Sequence, residues 1–386
     1  MKTSLLPTWS LAGARVLVRA DLNVPRSDDG AILDDFRAQA LLPTLTTIFK
    51  NGGTVTLLAH SGRPHNKDAQ LSLKPFIEWF KNQGFSTEFA ENLLQARKLT
   101  IKKTVQIILV ENLRFFPQEN ACDLAFAKEL AQLGTYFIQD AFGALHRESA
   151  SLSVVHTLFP ATHKTIGLLT QKELQLMHLL IENPQKPFVL IVGGSKVATK
   201  LPLIHTLLDH VSTILLCPAI AFTFLKSQGL PVGKSLVDDN YLTQALAIMQ
   251  EAKERKIELV TPIDYVVTKG TTKKPHPISI TRNIGKNQMG ISIGPETLKL
   301  FKEHIASART LFFNGAPGFA HHPETLEGTR GIFQALQQNH GTKIIGGGDT
   351  VALARYFKCR HETGLFSTGG GVILAYLSRR NLPGLW

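Results

Sequence analysis

The sequence has little of what marks membrane-spanning, secreted or zinc-binding proteins. Its longest apolar stretches, such as FVLIV at 188–192, are far shorter than the roughly 18 residues needed to span a bilayer. The first residues, MKTSLLPTW, lack an apolar region long enough for a signal peptide. The three cysteines are far apart and form no CxxC pair, which supports neither a disulfide framework nor a zinc site. These absences predict a cytoplasmic protein with reduced thiols.

Two common phosphate-binding motifs are also missing. No GxGxxG occurs, which argues against a dinucleotide-binding dehydrogenase. The stretch GLPVGKS at 229–235 has one residue too few between its glycines to form a P-loop. Any phosphate site in this chain must therefore be built in another way.

Basic residues are in excess but are not clustered along the sequence. The formal net charge of +12 favours an anionic partner, which could be nucleic acid, a membrane surface or a small phosphorylated metabolite. Lysines and arginines occur mostly singly or in pairs, without the long basic run expected of a nucleic-acid-binding arm. We therefore expect neither nucleic acid nor membrane as the main partner. The basic residues that indicate function are those at the ends of strands and the starts of helices.

The length and the apolar pattern predict two similar domains. At 386 residues the chain exceeds the size at which a single hydrophobic core usually stops growing. Short apolar runs alternate with helical patterns in both halves, which is typical of parallel sheets with helical crossovers. The predicted fold class is α/β, with two Rossmann-like domains, each a parallel sheet flanked by helices, joined by a hinge helix. The predicted domains are 1–168 and 188–371, with the connecting helix and linker at 169–187.

The residues at the ends of the first-half strands are mostly basic. The runs ARVLVRAD, TVTLLAH, QIILVEN and TYFIQDA end in or precede Arg19, Asp21, Asn23, His60, Arg63, Arg114, His146 and Arg147. In an open parallel sheet such positions share the edge where ligands bind. One arginine alone would be an ordinary surface residue, but cations that converge on one edge repel each other unless an anion joins them. Arg37, at the start of the next helix, is expected to join this binding site for a small polyanion.

Second-half strands are followed by glycines instead. The runs FVLIV, TLFFN, KII and GLFST lead into glycines at 193–194, 315, 346–348 and 369–371. Taken alone, IIGGGDTVAL at 344–353 is either a turn in which Asp349 or Thr350 caps a helix, or a phosphate and metal site. In VGGSKVATK, Lys196 and Lys200 are predicted one turn apart near a helix N-terminus, where lysines are disfavoured unless an anion binds. Together these junctions predict a polyphosphate site with Asp349 as candidate magnesium ligand.

These motifs identify a family resemblance. The chain resembles the phosphoglycerate kinases over essentially its full length, through VRADLNVP at 18, DDFRAQALLPTL at 34, AHSGRP at 59, ENLRF at 111, DAFGALHR at 140, GGSKV at 193, GGGDT at 346 and STGGG at 367. The resemblance implies reversible phosphoryl transfer from 1,3-bisphosphoglycerate to MgADP, which yields 3-phosphoglycerate and MgATP. It also implies in-line transfer on domain closure, a monomer, and a C-terminal segment 372–386 that returns to the N-terminal domain.

The resemblance also assigns roles to individual residues, all of them expectations. The expected phosphoglycerate-binding residues are Asp21, Asn23, Arg37, His60, Arg63, Arg114 and Arg147. The expected nucleotide-binding residues are Gly194, Lys200, Asn314, His321, Gly346, Gly347, Gly348, Asp349 and Thr350. Catalysis is expected from Arg37, Lys196, Lys200, Gly348 and Gly371, with Asp349 holding Mg²⁺.

The chain departs from the family mainly on the nucleotide side. Cys217-Pro218 stands where the family usually has glycines, and His321 stands at the usual ribose-contacting glutamate. Thr199 replaces an aspartate, and Ser149 replaces a second histidine after His-Arg. Two alternatives follow: an enzyme with weakened or altered nucleotide use, and a basic nucleic-acid-binding protein on a kinase scaffold.

Overall fold

The chain divides into two compact units. A computed structural model describes residues 9–64, 66–102, 105–182, 184–360, 363–377 and 381–386. The first unit comprises Met1–Gln175 with Asn381–Trp386, and the second comprises Leu176–Arg380. The division falls inside a helix, Leu168–Ile181, through which the chain passes from one unit to the other.

The first unit is built on a parallel sheet. Its strands, among the described residues, are β1 (Arg15–Ala20), β2 (Thr54–Leu58), β3 (Thr87–Ala90), β4 (Ile107–Val110), β5 (Tyr136–Asp140) and β6 (Lys164–Ile166). They lie in the order β3-β4-β2-β1-β5-β6. Arg19 of β1 pairs with Leu58 of β2 and with Gln139 of β5, so these strands end together. The residues that follow them therefore meet at one edge of the sheet.

The second unit also has a six-stranded parallel sheet. Its strands are β7 (Phe188–Val192), β8 (Thr213–Leu216), β9 (Glu258–Val260), then β13 (Thr310–Asn314), β14 (Thr342–Ile345) and β15 (Leu365–Phe366), in the order β15-β14-β13-β7-β8-β9. Each of these strands coincides with an apolar run of the sequence. The predicted fold class, two parallel sheets each flanked by helices, is confirmed.

A small antiparallel sheet in the second unit was not predicted. It consists of β10 (Tyr265–Thr268), β11 (Ile278–Thr281) and β12 (Met289–Ile293), with β10 in the middle. These strands are short, and lysines, prolines and glycines lie between them. No helix separates them among the described residues, so the strand-helix alternation that reveals a parallel sheet is absent here.

Helices cover both faces of the sheets. The described helices are α1 (Phe36–Lys50), α2 (Phe76–Asn82), α3 (Leu93–Lys102), α4 (Pro117–Asn120), α5 (Leu124–Ala131), α6 (Leu168–Ile181), α7 (Val197–Leu207), α8 (Ile220–Ser227), α9 (Leu242–Glu254), α10 (Pro295–Ser307), α11 (Glu327–Gln338), α12 (Gly348–Tyr356) and α13 (Gly370–Leu377). Among the described residues, no helix is both long enough and apolar enough to cross a membrane.

Alternating side chains of the first sheet enter two separate cores. Val18 and Leu57 pack with Leu45 of α1 on one face. Leu17 and Leu58 pack with other helices on the opposite face. Because both faces are covered, the inner strands are apolar at nearly every position, and their polar residues are left for the sheet edge.

The C-terminal segment differs from its expected course. Residues 372–386 were expected to return to the N-terminal domain. In the structure α13 packs against α7 within the second unit, and only Asn381–Trp386 group with the first. The apolar sequence of α13 explains the difference, because its buried Val372 and Ile373 need a core beside them.

Candidate functional site

The first unit collects its predicted ligand-binding residues at the carboxyl ends of β1, β2, β4 and β5. Arg37 is the second residue of α1, and the others lie in the loops just after the strands. Arg37, His60, Arg63, Arg114 and Arg147 are called the basic edge below. Among the described residues, Arg63, Arg114 and Arg147 form no ion pair with a carboxylate. The cluster therefore carries an excess of positive charge that an anion would offset.

Asp21 and Asn23 order one side of this cluster. The Arg37 Nη1 donates to Asp21 Oδ2 at 2.7 Å and to the Asn23 carbonyl at 3.1 Å. The Asn23 amide nitrogen donates to Asp21 Oδ1 at 3.1 Å, and Asn23 Oδ1 accepts from the Gly62 amide at 2.8 Å. Asp21 thus supports Arg37 and the loop after β1.

Arg114 is held by backbone and by an asparagine that the sequence analysis did not select. It lies in the 3₁₀ turn Leu113–Phe115, and its guanidinium donates to the Gly62 carbonyl. Asn112 Oδ1 accepts from the Arg114 and Ser61 amides, each at 3.1 Å. Burial, and next to it the neighbouring Arg147, lower the Arg114 pKa to about 10. The shift therefore reflects first the partial burial of this guanidinium and then the other guanidinium groups beside it.

His60 is buried and electrically neutral. Burial lowers its pKa well below 6.5, and Arg19 is the next cause. Arg19 Nη2 lies 3.4 Å from His60 Nδ1, and its Nε donates to Ser151 Oγ at 2.7 Å. Because a guanidinium can only donate, Nδ1 must accept and the proton resides on Nε2. His60 can therefore donate an N–H bond to a ligand.

The serine that replaces a histidine of the family has a structural contact of its own. Ser149 Oγ donates to Glu119 Oε1 at 2.8 Å, and Ser151 donates to the same carboxylate. Glu119 lies 4.0 Å from the Arg19 guanidinium and is almost fully buried. Ser149 is thus part of a buried network beneath the basic edge rather than a member of that edge.

In the second unit, two glycine loops touch each other at the ends of β7 and β13. A Cβ at Gly315 would lie 2.0 Å from the Gly193 carbonyl oxygen, and Gly315 has a φ of +111°. The Gly193 amide donates to the Asn314 carbonyl at 3.2 Å. Only glycine allows so close an approach in that conformation. Steric contact therefore explains why these two loop positions are glycine.

Lys200 points from α7 toward the end of β13. Its Nζ donates to the Asn314 carbonyl at 3.2 Å and also to Asn314 Oδ1. Burial lowers its pKa to about 8, Asp349 opposes this shift, and Lys196 adds to it. Lys196 is exposed and is the N-cap residue of α7. Lys196, Lys200 and Asp349 are therefore close enough to influence one another.

The GGGD turn does not use Asp349 or Thr350 as a cap. The N-cap of α12 is Gly347, with a φ of +91° and no side-chain cap bond. Thr350 Oγ1 instead accepts from the Gly315 amide at 2.9 Å, which ties α12 to the loop after β13. Asp349 lies in the first turn and is exposed. The capping interpretation of this turn is therefore wrong.

A cavity of about 530 Å³ lies beside these loops. Its lining includes Gly194, His321 and Asp349, as expected from sequence, together with Ala219, Gly290 and Phe319, which were not selected. Gly290 belongs to the unpredicted antiparallel sheet, so no sequence signal could have revealed that wall. Ala219 has a φ of +73°, and it follows the Cys217-Pro218 pair that replaces the usual glycines.

The remaining predicted residues lie around this cavity's glycine loops. Gly346 packs so closely that a Cβ there would come within 2.9 Å of Ile373 of α13. Gly348 begins α12 and Gly371 lies in the first turn of α13. The structure thus forms two clusters, the basic edge in the first unit and the glycine loops with their lysines in the second.

Comparisons with known proteins agree on a single family. The family model described as phosphoglycerate kinase matches residues 6–380. The chain is 36% identical over 383 residues to a phosphoglycerate kinase of Nitratiruptor sp., covering 97% of this chain and 95% of that protein. A phosphoglycerate kinase of Nostoc punctiforme is 37% identical over 389 residues, with 98% and 96% covered.

Solved structures agree as well. The phosphoglycerate kinase of Coxiella burnetii has a TM-score of 0.84 and 32% identity, covering 98% of this chain and 96% of that one. The protein is accordingly a phosphotransferase that uses a carboxyl group as acceptor, and the chain belongs to the phosphoglycerate kinase family.

Proposed function

We propose that the protein catalyses the reversible transfer of a phosphoryl group from 1,3-bisphosphoglycerate to MgADP, giving 3-phosphoglycerate and MgATP, in glycolysis and gluconeogenesis. The observation that carries this proposal is the pairing of two unlike anion sites in one chain. One is a basic edge rich in guanidinium groups, and the other is a cavity lined by glycine loops and Asp349, with Lys200 close to Asp349.

On the acceptor side, the basic edge would hold 3-phosphoglycerate by its phosphate and carboxylate. Guanidinium forks match both groups, because two parallel N–H bonds can reach two oxygens. Arg37, steadied by Asp21, would direct the carboxylate, and neutral His60 would donate from Nε2. An ionised carboxylate is already nucleophilic, so no general base is assigned.

On the nucleotide side, backbone N–H groups and Lys200 would bind the phosphates. The N-terminus of α12 offers free amides beside the cavity, and a helix N-terminus favours negative charge. Lys200 would exchange its bonds to Asn314 for bonds to the moving phosphoryl group. Catalysis would then consist of alignment and charge neutralisation.

The cavity fits a magnesium ion brought with the nucleotide. Asp349 is an exposed carboxylate on the cavity wall, and no group of three or more acidic, histidine or cysteine side chains suited to a metal occurs among the described residues. Magnesium in nucleotide sites is commonly held by one or two carboxylates plus substrate phosphates, which matches this donor set. When bound, the ion would neutralise phosphate charge, with Asp349 as its protein ligand.

Transfer would further require the two sites to be brought together, because each belongs to a different unit. We propose closure about α6 in a monomer, with both substrates needed for the full change. Small-angle scattering should show a smaller radius of gyration with 3-phosphoglycerate and MgADP together than with either alone. An unchanged radius would contradict the closure step but not the reaction.

The reaction itself is tested by a coupled assay with 3-phosphoglycerate and MgATP. We expect turnover with ATP, and a parallel assay with GTP tests whether the altered cavity wall changes nucleotide choice. Calorimetric titration of MgADP with and without 3-phosphoglycerate tests binding independently of turnover. No turnover with either nucleotide, together with salt-sensitive binding to duplex DNA, would favour the nucleic-acid alternative instead.

A further inference from the structure

A buried carboxylate of the first unit has no part in the proposed binding of either substrate. Asp140 is the last residue of β5 and has no exposed surface. Its Oδ2 accepts from Thr44 Oγ1 at 2.6 Å, and its Oδ1 accepts from the Thr170 amide at 2.9 Å. Burial raises its pKa to about 6, so the protein retains a carboxylate that is costly to bury.

The partners of Asp140 converge on the first turn of α6. The same Thr44 hydroxyl accepts from the Leu168 amide at 2.9 Å. Asp140 and Thr44 therefore satisfy amides that a helix N-terminus otherwise leaves without partners. A Cβ at Gly167 would lie 2.1 Å from the Asp140 carboxyl carbon, so the chain enters α6 in direct contact with this carboxylate. We call Asp140, Thr44 and Gly167 the α6 anchor.

Each side chain of the α6 anchor is linked to a residue of the basic edge, Thr44 through its own helix and Asp140 through the segment that follows β5. Thr44 lies on α1, seven residues after Arg37, which corresponds to about 10 Å along the helix axis. Asp140 begins the segment that ends at Arg147. That segment is stiffened by turns in which the Ala144 amide donates to Ala141 at 2.9 Å and the Arg147 amide to Ala144 at 3.0 Å.

We propose that Asp140 is a positioning residue for phosphoryl transfer, which with Thr44 couples occupation of the basic edge to the connecting helix α6. The inference rests on the proposed function. Arg37 and Arg147 would both contact phosphoglycerate, and any shift of their elements reaches the start of α6 through two short hydrogen bonds. The rest of α6 continues into the second unit, so its direction sets how that unit can move.

The second unit contains a matched carboxylate that serves as a control. Asp264 is also buried and accepts from the first turn of a helix, α10, through the Glu296 and Thr297 amides at 3.0 and 2.7 Å. A Cβ at Gly294 would lie 2.2 Å from an Asp264 oxygen, which repeats the Gly167 contact. α10 begins and ends within the second unit. Asp264 therefore stabilises a helix N-terminus as Asp140 does, but its helix does not pass from one unit to the other.

The test compares Asp140→Asn and Thr44→Val with Asp264→Asn and Thr44→Ser in the full chain. Melting temperature, 3-phosphoglycerate affinity by calorimetry and kcat are measured for each. For Asp140→Asn and Thr44→Val we expect kcat to fall about tenfold with 3-phosphoglycerate affinity within about twofold, since coupling networks contribute roughly two- to thirtyfold. Thr44→Ser keeps the hydroxyl and should restore kcat to within about twofold of wild type.

The control separates positioning from stability. Asp264→Asn should lower the melting temperature as much as Asp140→Asn does, yet leave kcat within about twofold. An equal loss of kcat in Asp264→Asn, or normal kcat in Thr44→Val, would overturn the inference. If Asp140→Asn does not fold, the comparison of Thr44→Val with Thr44→Ser tests the inference by itself. An inactive wild-type protein would refute the proposed function. A Thr44→Val variant as active as an active wild type would refute only the role of Asp140 and Thr44.

Discussion

The basic edge of the first unit and the glycine loops of the second would, under the proposed function, bind anions by opposite means. The first relies on half-buried or exposed guanidinium groups that lie close enough to influence one another, which contributes to the lowered pKa of Arg114. The second relies on backbone amides exposed by glycines, with Lys200 as its one half-buried cation. Side-chain forks suit a small ligand of fixed shape, whereas backbone amides leave room for a polyphosphate and its metal.

The largest expected loss comes from removing the half-buried cation of the glycine loops. Lys200→Ala should lower kcat at least roughly a hundredfold, by analogy with the loss of one preorganised donor to a developing charge. Lys299→Ala, which removes an exposed lysine of α10, is the control and should leave kcat unchanged. Steady-state assays in the direction of ATP formation measure both. Near-normal turnover of Lys200→Ala would mean that backbone amides alone stabilise the transferred group.

The contact between glycine loops is tested by adding a single methyl group. Gly315→Ala should lower the free energy of unfolding by about 2–3 kcal/mol, because its positive φ and the Gly193 carbonyl both oppose a Cβ. Gly229→Ala is the matched control, since its φ is also positive at +77° but no atom lies within 4 Å. It should cost about 1–2 kcal/mol, which is the backbone strain alone. Urea unfolding compares them, and equal costs would show that the close approach is unimportant.

These two regions also show how far the sequence could predict the structure. The strand ends, the glycine junctions and the arginines were all recognisable, because each is a local pattern. Two contacts were not recognisable from the sequence. They are the hydrogen bond from the Gly315 amide to Thr350 and the pairing of Arg19 with the buried Glu119 network. Those contacts join residues far apart in the chain, and periodicity carries no information about them. The cavity wall formed by β12 was missed because the short strands β10, β11 and β12 lack the strand-helix alternation of a parallel sheet.

The basic edge should depend on the geometry of its side chains as well as on their charge. Arg114→Lys keeps the positive charge but loses the planar fork, so the KM for 3-phosphoglycerate should rise about tenfold with MgADP affinity unchanged. Arg330→Lys on α11 is the control, since Arg330 is exposed and belongs to neither cluster. Steady-state assays measure the KM for 3-phosphoglycerate, and calorimetry measures the affinity for MgADP. An unchanged KM would mean that charge alone suffices at this edge.

The half-buried lysine also predicts a pH dependence on the nucleotide side. The pKa of Lys200 is lowered to about 8 by burial, so the ammonium form is present below that pH and is lost as pH rises through it. The value of kcat/KM for MgADP should therefore fall toward alkaline pH with an apparent pKa near 8, since this ratio reports the free enzyme. 3-Phosphoglycerate affinity, measured by calorimetry, should stay constant over the same range. A profile that is flat up to pH 9 would exclude Lys200 as the titrating group.

The smallest effect is expected from His321, one of the residues at which the glycine side departs from its family. His321 is exposed on the cavity wall, where a hydrogen bond to a ribose hydroxyl competes with water. One neutral bond of that kind contributes about 0.5–1.5 kcal/mol, and exposure favours the lower end, so His321→Ala should weaken MgADP binding about threefold. His321→Glu should strengthen it, because a carboxylate accepts from a hydroxyl more strongly than an imidazole does. Calorimetry with MgADP and with its 2′-deoxy analogue checks both variants. A tenfold loss in His321→Ala would mean that this side chain, and not the backbone amides, anchors the nucleotide.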